Sequence, residues 1–164
     1  PHAARGEIMI SRDGIEGGAI YALSRPLRDE THGPLVIDLR PELSSEVVAR
    51  KLACRNRKES AANFYRKAFN LSPVAIGLMR EAGAENPKHV TLTLHGPASL
   101  ARAISSAGGI ALNEVDETFR LRKVPGCYAV GEMLDWEAPT GGYLLQACLS
   151  TAVAAARDCL KALG

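Results

Sequence analysis

Two short segments near the carboxyl end of the chain carry the residue types best suited to ligand binding. The first is Gly131-Glu132, which directly follows residues 127–130, an apolar run that predicts a strand buried on both faces. In open α/β sheets, ligands bind beyond the carboxyl ends of such strands. We therefore expect the Gly131 backbone to permit close approach of a ligand, and the Glu132 carboxylate to accept hydrogen bonds from a polyol or a ribose.

The second segment is Thr140-Gly141-Gly142, which opens an alanine-rich stretch predicted to be helical as far as Lys161. The first N–H groups of a helix lack partners within it, and the helix dipole places partial positive charge at this end. Such an end suits partial negative charge, for example that on the N1–C2=O edge of a reduced flavin. The same residues also suit a threonine N-cap followed by glycines at a crowded packing point, and spacing alone does not separate the two interpretations.

Short strands and helices of a mixed α/β fold must position these segments. Apolar runs predict strands, and apolar residues at i, i+3 and i+4 predict helices. The expected strands are residues 7–10, 35–37, 89–94, 108–111 and 127–130. The expected helices are residues 17–24, 41–52, 60–69, 72–83, 97–104 and 140–161. Arg25-Pro26 is expected to end the first helix, and Ser72 to cap the fourth.

Three glycines, Gly14, Gly17 and Gly18, lie between the first strand and the first helix, where a phosphate-binding loop would lie. Their order is G-x-x-G-G rather than the dinucleotide fingerprint G-x-G-x-x-G, and Glu16 places an acid inside the loop. We therefore interpret them as a tight junction that lets two backbone segments approach each other.

Composition and charge argue against several classes of partner. Of the 164 residues, 46% are hydrophobic and 23% charged, the balance of a soluble globular chain. The formal net charge of +2 is too small to imply nucleic acid or an anionic membrane as a partner. The uncharged residues 143–156 are too few to span a bilayer. We expect a cytoplasmic protein that binds neither nucleic acid nor a membrane.

Seven basic residues crowd two of the predicted helices and the link between them. A nucleic-acid contact is one interpretation of this cluster, but Glu46 and Glu59 are interspersed and no flanking residues suit base stacking. We therefore favour a solvated helix face. The seven residues are Arg50, Lys51, Arg55, Arg57, Lys58, Arg66 and Lys67.

Neither the cysteines nor the histidines form a pattern that predicts a metal site. The cysteines contain no C-x-x-C pair, and we interpret them as reduced, small, buried apolar residues. The histidines lack the spacing of a zinc site. The residues concerned are Cys54, Cys127, Cys148, Cys159, His2, His32, His89 and His95.

Four blocks of sequence together identify a family resemblance. They are G-E-I-M-I-S-R-D-G-I-E-G-G-A-I at residues 6–20, A-G-G-I with E-V-D at 107–116, V-P-G-C-Y-A-V-G-E-M-L-D at 124–135, and T-G-G-Y-L-L-Q at 140–146. They closely resemble the signatures of the BaiN/YhiN-like NAD(P)/FAD-dependent oxidoreductases, flavoproteins that include aminoacetone oxidase. The first block departs from the family pattern G-E-x-x-x-T-x-x-G-I-S-G-x-A-I at Ser11, Arg12 and Glu16.

This resemblance implies an FAD-binding α/β domain that is interrupted by an insert domain. On this pattern, residues 1–105 form most of the insert domain, and residues 106–164 return as the final strand and helix of the Rossmann-like FAD-binding domain. It places Gly131 and Glu132 near the ribityl chain and the pyrophosphate of FAD. It implies that the isoalloxazine edge is covered by Thr140, Gly141, Gly142 and Tyr143, and Gln146 follows on the same helix.

The residues and the resemblance together predict the C-terminal portion of a flavin-dependent oxidoreductase that acts on a small organic substrate, with NAD(P)H as a candidate electron donor. The family's Gly-rich ADP-binding loop has no counterpart in these residues, and the chain opens with Pro1 rather than Met. We therefore expect it to hold FAD weakly or not at all by itself, and to be inactive alone. No residue pair indicates a catalytic acid, a catalytic base or a metal ligand. The alternatives are a non-catalytic interaction module that does not bind FAD, and an RNA-binding module that uses the basic helices.

Overall fold

A computed structural model describes residues 2–29, 33–56, 58–103 and 105–164. Contacts divide the chain into two compact units. We call Ser24–Pro97 the central unit, and Pro1–Leu23 with Ala98–Gly164 the terminal unit. These bounds differ from the division at residue 105 that the family resemblance implies, and the assignment of residues 1–105 and 106–164 to an insert domain and an FAD-binding domain stays a prediction.

Short strands and helices make up both units, as the sequence predicts. The α-helices in the described residues are α1 (Gly18–Ala22), α2 (Ser24–Asp29), α3 (Ser45–Ala53), α4 (Ala61–Phe69), α5 (Pro73–Glu81) and α6 (Tyr143–Leu163). The strands are β1 (Met9–Ile10), β2 (Ile15–Glu16), β3 (Pro34–Ile37) and β4 (Val90–Thr93). Single 3₁₀ turns form at Leu100–Arg102, Leu112–Glu114 and Gly131–Met133.

Serine caps set the start of three helices in the central unit. The hydroxyls of Ser44, Ser60 and Ser72 each accept a hydrogen bond from the backbone N–H three residues further on. Each bond satisfies one of the donors that a helix start leaves unpaired. Pro73 occupies the first turn of α5, where its missing N–H costs nothing. The helices α4 and α5 therefore begin where the sequence predicts.

An aromatic cluster on α4 forms the core of the central unit. Phe64, Tyr65 and Phe69 are each at most 5% exposed, and the rings of Phe64 and Phe69 meet edge to face with centroids 5.9 Å apart. The Tyr65 hydroxyl donates to the Glu85 carbonyl oxygen at 2.7 Å, and burial raises the pKa of this hydroxyl. The other buried members of the cluster are Val48, Leu71, Met79 and Val90.

A two-stranded ladder closes the central unit. β3 and β4 pair antiparallel, with Pro34 opposite Thr93 and Ile37 opposite Val90. Because β3 precedes and β4 follows the three helices α3 to α5 in the chain, this pairing brings the two ends of the helical segment together.

A short hairpin begins the terminal unit. β1 and β2 pair antiparallel, and the N–H of Ser11 donates to the Gly14 carbonyl oxygen at 2.9 Å, which closes the turn between them. Gly17 has φ 110°, and a Cβ on it would lie 2.8 Å from the Glu7 carbonyl oxygen. The prediction that these glycines permit close backbone approach is confirmed at Gly17.

The remainder of the terminal unit is irregular and leads to the long helix α6. Its short segments are joined by single bridges: Ile110 with Leu134 in parallel, and Arg120 with Tyr128 antiparallel. A small core holds them together, and its buried members are Val115, Ala129 and Leu134.

Residues 127–130 do not form the predicted strand. Ala129 is fully buried, but Cys127 is exposed, so burial on both faces is wrong for this segment. Within the described ranges, the one residue of this segment that pairs with another segment is Tyr128, which forms a single β-bridge with Arg120. An apolar run without neighbouring strands on both sides cannot become an interior strand.

Other predicted helices also differ from the structure, and the one expected from residue 41 begins at Ser45. Of the helix expected over residues 97–104, the described residues 97–103 form only the 3₁₀ turn Leu100–Arg102, since Leu100 is 77% exposed and packs no apolar stripe. Pro26 does not end a helical segment; it lies in the first turn of α2, where proline is tolerated. The predictions that involve Pro1, His32, Arg57 and Ile104 lie outside the described residues.

The cysteines are free, as predicted, but they are not buried. Cys54 and Cys127 are exposed, and Cys148 and Cys159 are half-buried. Across the described ranges, no cluster of three or more His, Cys, Asp and Glu side chains could hold a metal ion. None of the helices in those ranges combines the length and the apolarity that crossing a membrane requires.

Candidate functional site

Gly131 packs against α6, and its backbone is fixed there. It has φ 62°, and a Cβ on it would lie 2.9 Å from the Cys148 Sγ. Its N–H donates to the Thr151 hydroxyl at 3.0 Å, and that hydroxyl donates to the Ala147 carbonyl oxygen at 2.7 Å. Both the conformation and the contact require glycine, so Gly131 seats the 3₁₀ turn on the helix.

Glu132 ties this turn to a distant segment of the same unit. Its Oε1 accepts a hydrogen bond from the backbone N–H of Ser106 at 2.9 Å. Gly109 makes a second close approach between these segments, because a Cβ on it would lie 2.7 Å from the Met133 carbonyl oxygen. The Glu132 carboxylate is therefore held in place at the surface of the terminal unit.

The start of α6 is open. Gly142 is the N-cap with φ 85°, no side chain caps the helix, and Gly141 before it has φ 108°. The N–H groups of residues 143–145 precede the first intrahelical bond, from Gln146 N–H to the Gly142 carbonyl oxygen at 3.1 Å. An uncapped start of a 21-residue helix presents unpaired donors and the positive end of the dipole.

The alternative interpretation of residues 140–142 was a threonine N-cap followed by glycines at a crowded packing point, and both of its features are wrong. Thr140 is not the N-cap, since that position belongs to Gly142. The glycines do not lie at a crowded packing point: a Cβ on Gly142 would meet nothing within 4 Å, and one on Gly141 would meet only the Tyr143 ring, at 3.6 Å. The glycines are required by their left-handed backbone conformation, and they leave the end of the helix accessible.

The helix α6 relates the two predicted segments. It begins after Gly142, and Gly131 contacts it at Cys148, about 9 Å further along the axis at 1.5 Å per residue. Tyr143 is 58% exposed at the start, and the Gln146 side chain donates to the Ser150 hydroxyl at 3.0 Å. The role of each of these residues toward a cofactor stays a prediction.

A polar cluster in the terminal unit was not predicted from the sequence. The Asp158 carboxylate accepts hydrogen bonds from Arg120 Nη2 and the Tyr128 hydroxyl, both at 2.7 Å, and Arg120 Nη2 lies 3.0 Å from that hydroxyl. The cluster ties the C-terminal part of α6 to the irregular segment before it. These residues lie 30 and 38 positions from Asp158 in the chain, and nothing in their spacing predicts the contact.

Mutual hydrogen bonding shifts the titration of all three groups. The Tyr128 hydroxyl, and then the charge of Arg120, lowers the pKa of Asp158 below its usual value of 3.8. The hydrogen bond to Asp158 raises the pKa of Tyr128, and the Tyr128 hydroxyl, followed by the Asp158 charge, raises the pKa of Arg120. The cluster is therefore an ionised Arg–Asp pair with a protonated tyrosine between them at neutral pH.

Comparison with known proteins assigns the family. The family model of the HI0933-like protein Rossmann domain matches residues 10–158. The chain belongs to this family of FAD-binding flavoproteins, which supports the resemblance found in the sequence. The short strands and helices are consistent with its α/β class.

One curated relative is a ribosomal RNA dihydrouridine synthase from Escherichia coli (strain K12). It is 43% identical to this chain over 56 residues, which cover 34% of the chain and 14% of that protein. The match therefore spans well under two thirds of the length of the relative.

Proposed function

We propose that this chain forms part of the flavin site of an FAD-dependent oxidoreductase. The start of α6, at Thr140, Gly141, Gly142 and Tyr143, would contact the isoalloxazine edge. Gly131 and Glu132 would lie near the ribityl chain and the pyrophosphate, and Gln146 would follow on the helix. Bound FAD would supply the redox chemistry, and the chain would supply orientation and electrostatics.

The open start of α6 is the observation that carries this proposal. Two successive glycines with positive φ leave an uncapped helix end that no neighbouring atom crowds. Unpaired N–H groups and the dipole at such an end stabilise partial negative charge, and the absence of Cβ atoms lets a planar ring approach the backbone. The chemistry of this end therefore suits the N1–C2=O edge of a flavin.

We further propose that most contacts to the ADP part of FAD come from residues outside this chain. An apolar stripe on α6 supports this, because it has no covering segment among the described residues. Its members are Leu145 (67% exposed), Leu149 (58%), Val153 (49%), Leu160 (70%) and Leu163 (81%). Apolar surface of this extent marks a packing face, so α6 is suited to pack against further protein.

A flavin titration tests the proposal for the start of α6. The polypeptide of the complete reading frame should bind FAD at one per chain, and Gly142→Val should weaken that binding because a branched side chain opposes φ 85° and covers the helix end. Gly83→Ala is the matched control, since Gly83 has φ 61°, no neighbour within 4 Å of a Cβ, and lies in the central unit. An unchanged FAD affinity in Gly142→Val, with a normal circular dichroism spectrum, would remove the start of α6 from the site.

Two substrate classes are open to the proposed enzyme. A small organic molecule, with NAD(P)H as the electron donor, is the class that the sequence predicts. A uridine in RNA is the second, and the 43% identity to a ribosomal RNA dihydrouridine synthase favours it. Incubation of the full-length holoenzyme with NADPH and deproteinised ribosomal RNA, followed by nucleoside mass spectrometry, separates them. Dihydrouridine above the level in a no-NADPH control supports the RNA substrate, and NADPH oxidation with small substrates alone supports the first class.

A further inference from the structure

The net charge of +2 conceals an uneven distribution between the two units. The central unit has twelve Lys and Arg against eight Asp and Glu, whereas the terminal unit has eight against ten. Within the central unit, residues 46–67 carry seven of the cations and two carboxylates. The average charge, from which we predicted no nucleic-acid partner, therefore does not describe the α3–α4 segment.

Two shallow grooves with apolar floors flank α4, and both have basic residues on their walls. The groove between α3 and α4 has a volume of about 390 Å³, and Arg50 and Lys51 line it above Phe64 and Ala68. The groove between α4 and α5 has a volume of about 310 Å³, and Arg66 and Arg80 line it. Basic side chains thus lie on both sides of one helix.

Two of the nearby cations already have partners. Lys67 Nζ pairs with Glu59 Oε1 at 2.8 Å. Lys51 Nζ donates to the Ala68 carbonyl oxygen, which ties α3 to α4. These two lysines contribute to the fold of the central unit and are not assigned to a ligand.

Five other cations of this surface have no carboxylate within 4 Å in the described part of the chain. Favourable interaction with the helix dipole accounts for Arg50, Arg66 and Arg80, which lie in the last turns of α3, α4 and α5. It does not account for the exposed link between those helices, where Arg55 lies over the Phe64 ring with its guanidinium 5.8 Å from the centroid. We call the five the basic face: Arg50, Arg55, Lys58, Arg66 and Arg80.

We propose that the basic face binds the phosphate backbone of single-stranded RNA. This rests on the second substrate class above, a uridine in RNA. Four of the five cations are arginines, whose planar guanidinium matches phosphate oxygens in a bidentate manner and stacks on bases. Their carboxylate-free environment lets phosphates bind without breaking an ion pair of the fold.

Fluorescence anisotropy of a labelled single-stranded oligoribonucleotide tests the proposal with the 164-residue chain and no flavin present. If each of five cations neutralises one phosphate, log K falls with log[KCl] with a slope of about −3.5, at −0.7 per contact. The variant Arg50→Gln/Arg55→Gln/Lys58→Gln should bind about tenfold more weakly, and its slope should fall to about −1.4. These side chains are exposed, so circular dichroism should be unchanged.

The matched control removes charge from the other unit. Arg157→Gln/Lys161→Gln alters two exposed cations on α6 and should leave RNA affinity unchanged. The proposal is wrong if the basic-face variant binds RNA as tightly as the wild type, or if the α6 variant loses as much affinity. It is also wrong if poly-glutamate displaces the RNA at equal concentration of charges, because the face would then suit an acidic protein.

This binding assay is independent of catalysis. If RNA binds at the basic face but the holoenzyme forms no dihydrouridine, the proposal of an RNA substrate is wrong and the proposal of an RNA-binding surface stands. If the basic-face variant forms dihydrouridine as efficiently as the wild type, the proposal of the binding surface is wrong and the proposal of an RNA substrate stands.

Discussion

Gly131 has a structural role that can be measured separately from any contact with a cofactor. Its Hα faces the Cys148 side chain of α6, and its N–H is bound by the Thr151 hydroxyl. From the sequence we expected Gly131 to let a ligand approach the backbone closely. In the structure, Gly131 lets its own backbone segment approach α6 closely. Glu132, the next residue, lies at the surface.

Gly131→Ala should lower the free energy of unfolding by about 2–4 kcal/mol. A Cβ at φ 62° is strained by about 1–2 kcal/mol, and contact with the Cys148 Sγ at 2.9 Å adds overpacking. Urea denaturation measures the loss. Gly18→Ala, where a Cβ meets nothing within 4 Å, is the control and should change stability by less than about 0.5 kcal/mol. If Cys148→Ala does not recover part of the loss in the double variant, the contact is not its cause.

Asp158 should make the free energy of unfolding of the chain fall as the pH becomes acid. Its pKa is lower in the folded chain than the usual 3.8, chiefly because of the Tyr128 hydroxyl and the charge of Arg120. Asp158 therefore contributes fully to the free energy of unfolding at pH values above its pKa in the unfolded chain. This contribution is lost as the pH falls through the lower pKa that Asp158 has in the folded chain. Asp158→Asn should lower the melting temperature at pH 7 and reduce the fall in stability below about pH 5.

The control for this prediction is Asp135→Asn, an exposed carboxyl in the same unit. Asp116 and Glu46, whose pKa values are also lowered, account for a part of the acid dependence that should remain. Identical pH profiles for the wild type and Asp158→Asn would show that the cluster with Arg120 does not stabilise the fold.

The helices α4 and α5 of the central unit follow local rules, and for this reason the sequence predicts them well. Ser60 and Ser72 cap the helices that begin after them, and the apolar spacing from Ala61 to Phe69 buries one face of α4. The terminal unit follows the sequence less closely. The described part of the predicted helix 97–104 exposes Leu100, and residues 127–130 lack neighbouring strands among the described residues, so neither pattern becomes the element that its composition favours.

The cap of α3 offers a test at the level of a single element. Ser44→Ala should cost about 1 kcal/mol of unfolding free energy, because the Val47 N–H loses the serine hydroxyl as its acceptor. Ser45→Ala changes the next residue, which is inside the helix, and should be close to neutral. Equal effects of the two changes in chemical denaturation would contradict the assignment of Ser44 as the cap.

The two units differ in charge and in apolar exposure. The central unit has a closed aromatic core and an excess of positive charge, whereas the terminal unit exposes the apolar stripe of α6. The length and average composition of the chain suggest one ordinary domain, but averages do not reveal how charge and apolar surface are distributed. The family blocks at residues 124–135 and 140–146 were the more informative signal, because the family match over residues 10–158 agrees with them. The Asp158 cluster could not be predicted, since it depends on how α6 packs.

The apolar stripe should govern the solubility of the isolated chain. Leu149→Gln/Leu160→Gln replaces side chains that are 58% and 70% exposed, so unfolding free energy should change by less than about 0.5 kcal/mol per site while self-association falls. Analytical ultracentrifugation measures the association. Ala155→Gln places the same residue on the buried side of α6 and should destabilise the chain by about 1–3 kcal/mol. A stripe variant as unstable as Ala155→Gln would show that this face is already packed.

The flavin content of the complete polypeptide tests the central claim most directly. FAD is titrated in parallel into that polypeptide and into the 164-residue chain, and bound flavin is measured by absorbance after gel filtration. The account predicts about one FAD per complete polypeptide and little or none on the chain alone. A complete polypeptide that is folded and binds no FAD would contradict the assignment of a flavin site, and a stoichiometric yellow complex of the 164 residues alone would contradict the proposal that the ADP contacts lie elsewhere.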